Sequence, residues 1–274
     1  MVEKVTTLTL RKFKKEGRKI VALTAYDFPT AKILDNCGID MILVGDSLGM
    51  VVLGYQSTIP VTMEDMIHHT KAVSRAVNRA FVVADMPFMS YHISKEQAMT
   101  NAAKLIAEGG AHAVKLEGGE EIASIVKAIV DAGIPVVGHL GLTPQSVHQL
   151  GGYKVQGKEK EKAKKIFNDA KILEQAGICA LVLESIPMEL AKDIAENISV
   201  PTIGIGAGPY CDGQILVIHD MLGITQGHRP KFVKQYADIE KIMIEGINAY
   251  IKEVQQGLFP DEEHSFTLEK RENK

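Results

Sequence analysis

Four short apolar runs each close on a carboxylate: Ile42-Leu43-Val44-Gly45-Asp46, Phe81-Val82-Val83-Ala84-Asp85, Ala113-Val114-Lys115-Leu116-Glu117 and Ala180-Leu181-Val182-Leu183-Glu184. Runs of this length and composition read as buried parallel strands whose last polar side chain emerges at a shared rim. One such carboxylate would be a loop residue. Four at one rim repel one another unless protons or a divalent cation neutralise them. The pattern points to a metal-dependent active site.

The individual residues divide by chemistry. Asp46 and Asp85 are candidate Mg²⁺ ligands, because Mg²⁺ favours a pair of carboxylates with room left for water and substrate; the plainer reading is that each caps a turn. Ser47 offers a hydroxyl and an N–H to a substrate oxygen, or serves as a simple turn hydroxyl. Lys115 and Glu117 lie two apart on one strand and share a face. A lysine inside a strand needs a carboxylate partner, and the same ammonium can stabilise an oxyanion. His139 closes Pro135-Val136-Val137-Gly138-His139 and is either a hydrogen-bonded rim residue or a substrate contact. Glu184, set apart from the aspartate pair at an apolar strand end, is the candidate general base, with helix capping as its ordinary alternative. Gly204-Ile205-Gly206-Ala207-Gly208 suits either a phosphate or close packing. His68 and His69 fall within a helix and read as surface or packing residues.

These side chains need a scaffold that brings several strand ends together. Apolar runs place eight strands near 20–24, 41–45, 81–85, 112–117, 135–139, 179–184, 202–206 and 215–218. Amphipathic stretches between them place helices near 28–37, 63–78, 95–109, 119–131, 160–176 and 188–197. Thr62 with Asp65, and Ser94 with Gln97, have capping-box spacing. Thr143-Pro144 reads as a capped helix start. Glycine-bearing joints such as Gln175-Ala176-Gly177 lead directly into strands. Eight such units in 274 residues predict an α/β chain folded as a (β/α)8 barrel, one domain over 1–274. An open doubly wound sheet competes less well, since no Gly-x-Gly-x-x-Gly follows the first strand. Thr6 to Glu16 reads as a short N-terminal helix closing the barrel floor. The stretch from Lys231 to Gln256 reads as a helical C-terminal extension, and 158–165 as a solvated helix start.

Bulk properties narrow the partners. The net charge of −3 and dispersed basic residues argue against nucleic acid. No apolar run is long enough to span a membrane. The three cysteines, Cys37, Cys179 and Cys211, lack metal-ligand spacing and suit a cytoplasmic location.

Taken together, the motifs resemble the ketopantoate hydroxymethyltransferase family. The residues that carry the resemblance are Leu23-Thr24-Ala25-Tyr26-Asp27, Val44-Gly45-Asp46-Ser47-Leu48-Gly49-Met50-Val51 and Val83-Ala84-Asp85-Met86-Pro87-Phe88. Val114-Lys115-Leu116-Glu117-Gly118-Gly119, Gly138-His139-Leu140-Gly141-Leu142-Thr143-Pro144-Gln145, Leu183-Glu184 and Pro201-Thr202-Ile203-Gly204-Ile205-Gly206-Ala207-Gly208 extend it. The resemblance implies a TIM barrel of the phosphoenolpyruvate/pyruvate type, assembled as a homo-oligomer, a decamer. It implies one Mg²⁺ per subunit on Asp46, Asp85 and Glu117, the last through water. Asp46, Ser47, Asp85, Lys115 and His139 would hold a 2-oxo acid, and Glu184 would be the base. The implied reaction transfers a hydroxymethyl group from 5,10-methylenetetrahydrofolate to 3-methyl-2-oxobutanoate, on the route to pantothenate and coenzyme A. A metal-dependent carbon–carbon lyase or phosphonomutase of the related barrels is the alternative; a non-catalytic 2-oxo acid sensor is another. Two departures stand out: Met89 where a glycine is expected after Pro-Phe, and Cys179 where an aromatic residue is usual.

Overall fold

The structure is a computed structural model that describes residues 3–225 and 230–268. Its contacts divide the chain into two compact units, the first running to Ile218 together with Pro230–Val233 and the second comprising the remainder.

The first unit opens with α1 (Thr7–Lys15) and β1 (Ile20–Thr24), then α2 (Phe28–Asn36), β2 (Met41–Val44), α3 (Leu48–Val51) and α4 (Met63–Ala76). It continues with β3 (Phe81–Asp85), α5 (Lys95–Ala107), β4 (Ala113–Glu117), α6 (Ala123–Asp131), β5 (Val136–Gly141) and α7 (Val147–Leu150). It ends with α8 (Lys160–Ala176), β6 (Ala180–Glu184), α9 (Met188–Asn197), β7 (Thr202–Ile205) and β8 (Gly213–Leu216). The eight strands pair in sequence order, all parallel, and β8 closes on β1. The expected barrel is the observed one.

Parity along the strands decides what lies inside. Phe81 and Val83, Ala113, Val137, and Ala180 and Val182 belong to one buried cluster within the barrel, with Ile203 and Ile215. Continuing two residues at a time along the same faces leads to Asp85, Lys115 and Glu117, His139 and Glu184. The interior columns of β3 to β6 are therefore apolar below and ionisable at the top. Below, Leu10 of α1 and Val5 join the same cluster, so the N-terminal helix closes the floor. Cys179 is also in this floor cluster and 5% exposed; its thiol fills space there.

Local chemistry sets the element ends. Thr62 and Asp65 form a reciprocal capping box at α4, and Ser94 accepts from the Gln97 N–H at α5. Thr143 makes no such bond: Pro144–Ser146 is a 3₁₀ turn, not a capped α-helix. β5 runs past His139 to Gly141, whose φ of +98° and lack of a Cβ let the strand pass β6; a Cβ there would lie 2.2 Å from the Glu184 carbonyl oxygen. β8 ends two residues short of the expected 218, because Thr24 Oγ1 takes the Ile218 N–H and a helix begins there. Met89 has a φ of +62°, the backbone that a glycine adopts without strain.

The second unit carries most of α10 (Ile218–Leu222) and α11 (Ile239–Gln255). α11 buries none of its 17 residues, although Ile242, Ile244, Ile247 and Ile251 lie along it.

Candidate active site

All seven candidate residues of the sequence lie at the C-terminal end of the barrel, on five successive strand ends. Register makes neighbours of them: Asp85 is level with Lys115, and Glu117 with His139. Asp46 follows β2 by two residues. Its backbone N–H donates to Asp85 Oδ2 at 3.0 Å, so the β2 loop and the end of β3 are tied. Gly45 permits this approach, since a Cβ there would be 2.8 Å from Ser47 Oγ and 3.4 Å from Asp85 Oδ2.

From Asp85 the contacts form a continuous line. Lys115 Nζ lies 3.2 Å from Asp85 Oδ1 and 3.4 Å from Glu117 Oε1. It also lies 3.0 Å from His139 Nδ1, whose ring reaches Glu184 Oε2 through Nε2 at 3.2 Å. The side chains of Asp85, Lys115, Glu117 and His139 are only 3–4% exposed, while Glu184 keeps 15%. Glu184 is thus the member of the line most open to an incoming molecule. It does not cap α9, whose start carries no side-chain cap bond. Ser47 hydrogen-bonds to Tyr26 Oη at 2.8 Å and likewise caps no helix. Lys115 makes the ion pair with Glu117 that burial demands and a second with Asp85.

The electrostatics are those of a cluster short of positive charge. Burial, then repulsion from Asp85 and Glu117, pushes the Asp46 carboxyl well above the usual range. Burial also raises Asp85, though Lys115 and the Asp46 N–H oppose it. Burial would raise Glu117 too, but Lys115 and His139 outweigh it and hold the group at about 2. Lys115 is raised: its burial is overcome by Asp85, Glu117 and Asp46. His139 is lowered by burial and by Lys115, yet Glu117 and Glu184 prevail and lift it to about 9. The short Lys115 contact is a hydrogen bond only for a neutral ring. Carboxylates on both sides favour the protonated ring, with Nδ1–H toward Glu117 3.4 Å away.

Even with Lys115 and His139 both cationic, the four carboxylates leave two negative charges over. Asp85 Oδ1 is buried and accepts no hydrogen bond from the described residues, its contact with Lys115 lying outside hydrogen-bonding angles. An oxygen-only donor set with this excess charge and an unoccupied lone pair fits a divalent hard cation.

Sequence reasoning missed three residues of this site. Gln145 is 5% exposed and links Asp46 with Glu117; Tyr91, fully buried, bonds to Gln145; Tyr26 holds Ser47. Gln145 was hidden behind the helix-start reading of Thr143-Pro144, and Tyr91 lies in a turn without periodicity. His69, read as packing, bonds the Tyr26 carbonyl at 2.6 Å. In the Gly204–Gly208 loop the glycines answer to contacts: a Cβ on Gly208 would be 2.3 Å from Met188 Cβ, and one on Gly206 2.7 Å from the Phe232 ring. No helix starts at that loop; β8 follows it.

In the second unit, Asp261, Glu263 and His264 bring ligand atoms within 4.8 Å, but all three are exposed and His264 Nδ1 already meets Asp261 Oδ1 at 2.6 Å.

A closed parallel barrel with carboxylates, an imidazole and an ammonium converging on the C-terminal rim belongs to the class of (β/α)8 barrel enzymes. Solved barrels agree in fold: phosphonopyruvate hydrolase in complex with oxalate and Mg²⁺ matches with a TM-score of 0.60 at 13% identity, covering 94% of this chain and 92% of that one. The 2,3-dimethylmalate lyase of the PEP mutase/isocitrate lyase superfamily matches with a TM-score of 0.60 at 17% identity, over 94% and 91%. Sequence is more specific. Residues 4–262 match the model of the ketopantoate hydroxymethyltransferase family. A 3-methyl-2-oxobutanoate hydroxymethyltransferase of Thermoanaerobacter sp. (strain X514) is 95% identical over the full length of both chains. One from Syntrophomonas wolfei is 60% identical, over 97% of this chain and 96% of its own. The chain belongs to the ketopantoate hydroxymethyltransferase family, and is a hydroxymethyl-transferring enzyme of the pantothenate pathway. The sensor reading is thereby set aside, and the lyase and phosphonomutase likeness is one of fold.

Proposed function

We propose that the enzyme deprotonates 3-methyl-2-oxobutanoate at C3 and adds the resulting enolate to the one-carbon unit of 5,10-methylenetetrahydrofolate. With one water consumed, the products are 2-dehydropantoate and tetrahydrofolate. The observation that carries this reading is the unbroken line of contacts from Asp46 through Asp85, Lys115, Glu117 and His139 to Glu184. It supports a division of one rim into a cation-binding end and a basic end.

Each residue has a task. Asp46 and Asp85 would hold Mg²⁺, with Glu117 reaching it through water. When bound, the cation acts as a Lewis acid, drawing the charge that develops on deprotonation onto the keto oxygen. Lys115 places a fixed positive charge beside the substrate oxygens without reorganisation. Ser47, held by Tyr26, donates to a substrate oxygen. Glu184 takes the C3 proton, a role typically worth about 10²–10⁴ in rate. His139 Nε2 lies 3.2 Å from one Glu184 oxygen, an ion-pair contact outside hydrogen-bonding angles, and the other oxygen takes the proton. The excess of negative charge confined to the Asp46–Asp85 end supports this division, since it leaves Glu184 outside the tightest part of the cluster.

The reading extends to setting. Among the described residues no helix is long and apolar enough to cross a membrane, which suits a cytoplasmic enzyme acting on small molecules. The unburied isoleucines of α11 support assembly into a homo-oligomer, and a decamer is the expected form. A direct test supplies the purified protein with the 2-oxo acid and the folate. Product should require both and vanish after chelation, then return with Mg²⁺. Turnover without the folate donor would point instead to lyase chemistry.

A further inference from the structure

Each aspartate of the proposed cation pair has one oxygen held by an uncharged N–H. Asp85 Oδ2 accepts from the Asp46 backbone, and Asp46 Oδ2 accepts from the side chain of Gln145 at 2.8 Å. Among the described residues nothing donates a hydrogen bond to the other oxygen of either one. Gln145 itself has no freedom to turn. Its Nε2 also donates to the Met86 carbonyl at 2.9 Å, and its Oε1 accepts from the Tyr91 hydroxyl at 2.8 Å. A carbonyl and a carboxylate on one side accept only, which fixes the amide with nitrogen facing Asp46. Tyr91 Oη in turn accepts from the Glu117 N–H at 3.1 Å, and of the two acceptors its proton faces, Gln145 Oε1 at 2.8 Å is nearer than the Glu117 carbonyl at 3.1 Å. The Gln145 backbone N–H finally donates to Glu117 Oε2 at 3.0 Å. Both amide protons and the amide oxygen are engaged, and the residue is 5% exposed.

We propose that Gln145 is a positioning residue for the cation site: it pins one oxygen of Asp46 and one of Glu117 with neutral donors. Asp46 is thereby left with one oxygen for the ion, and the donor that holds its other oxygen adds no positive charge to that of Lys115 beside Asp85. A lysine or arginine in this place would anchor the carboxylate equally well but repel the metal. The inference rests on Asp46 and Asp85 being the cation's ligands, as in the proposed function. Outer-sphere partners of this kind typically change metal affinity by about 10–100-fold.

The test is Mn²⁺ binding to the metal-free full-length enzyme without substrates, followed by calorimetry and by the Mn²⁺ spin-resonance signal. Gln145→Met keeps the volume and removes every side-chain bond; it should weaken binding by about 10–100-fold. Tyr91→Phe removes only the hydroxyl that orients the amide and should weaken it less, with the same sign. Gln145→Asn, too short to reach both Asp46 and Tyr91, should not restore affinity. Tyr91→Phe also serves if Gln145→Met does not fold. Unchanged Mn²⁺ affinity in a folded Gln145→Met or in Tyr91→Phe overturns the inference. Binding that is abolished by Asp85→Ala yet indifferent to Gln145→Met overturns it alone, leaving the proposed function intact. A wild-type enzyme that binds no Mn²⁺ overturns both.

Discussion

Buried aspartates occupy both ends of this barrel, in opposite conditions. Toward the floor, Asp40 Oδ1 accepts from Arg18 and Arg79 at 2.9 Å and Oδ2 from the Val21 N–H. Asp35 takes the N–H groups of Asn78, Arg79 and Ala80, and Asp212 is held by Lys14 and Thr202. Burial would raise Asp35, but those three N–H groups hold it below its ordinary value. At the rim, Asp46 and Asp85 are raised by burial, and each keeps an oxygen to which none of the described residues donates a hydrogen bond. The floor carboxylates are satisfied by the chain; the rim pair is not, a state that the proposed cation would relieve. Proteins that store unfavourable electrostatics at a site are made less stable by it and more capable there.

The comparison is sharpest where a substitution moves function and stability in opposite senses. Asp85→Ala should reduce turnover on the order of 10³-fold at fixed Mg²⁺ and raise the Mg²⁺ requirement steeply. The thermal midpoint of the metal-free protein should not fall, because the carboxylate removed is one whose burial outweighs its partners, and Lys115 keeps Glu117. An unchanged metal dependence would exclude Asp85 as a ligand. Asp40→Ala should do the reverse, costing about 3 kcal/mol by leaving two guanidinium groups facing each other, with the folded fraction retaining its turnover. Denaturant titration separates the two effects.

Asp35→Asn is the smallest of the three, about 2 kcal/mol at pH 7. A carboxylate whose folded pKa is depressed contributes stability above its unfolded pKa and loses it as pH falls through the folded value. Wild type and variant should therefore differ above about pH 5 and converge toward pH 3. A gap that persists unchanged at pH 3 would show that the N–H contacts act without the charge.

What the sequence made legible follows from the same contrast. Asp40 and Asp46 flank one apolar run, and only the direction of a parallel strand separates the floor residue from the rim residue. Columns such as Phe81-Val83-Asp85 showed that direction, because period-two alternation puts the ionisable group at the top of an apolar stack. Met89 was legible too, as a side chain in a place whose backbone turned out to have positive φ. Gln145 was not. Its role depends on four partners, at Asp46, Met86, Tyr91 and Glu117, that are distant in sequence or lie outside periodic segments, and a 3₁₀ turn that frees its N–H. Likewise, the extension of β5 to Gly141 depends on a close approach to Glu184 that no local pattern records.

The central claim is that Glu184 removes a proton from carbon while the aspartate pair holds the cation. Glu184→Gln, incubated with Mg²⁺ and 3-methyl-2-oxobutanoate in deuterated water without folate, tests it most directly. Proton resonance should show the C3 hydrogen retained at the uncatalysed rate, although substrate and metal still bind, while the wild-type enzyme exchanges it. Exchange at the wild-type rate in the variant would contradict the assignment.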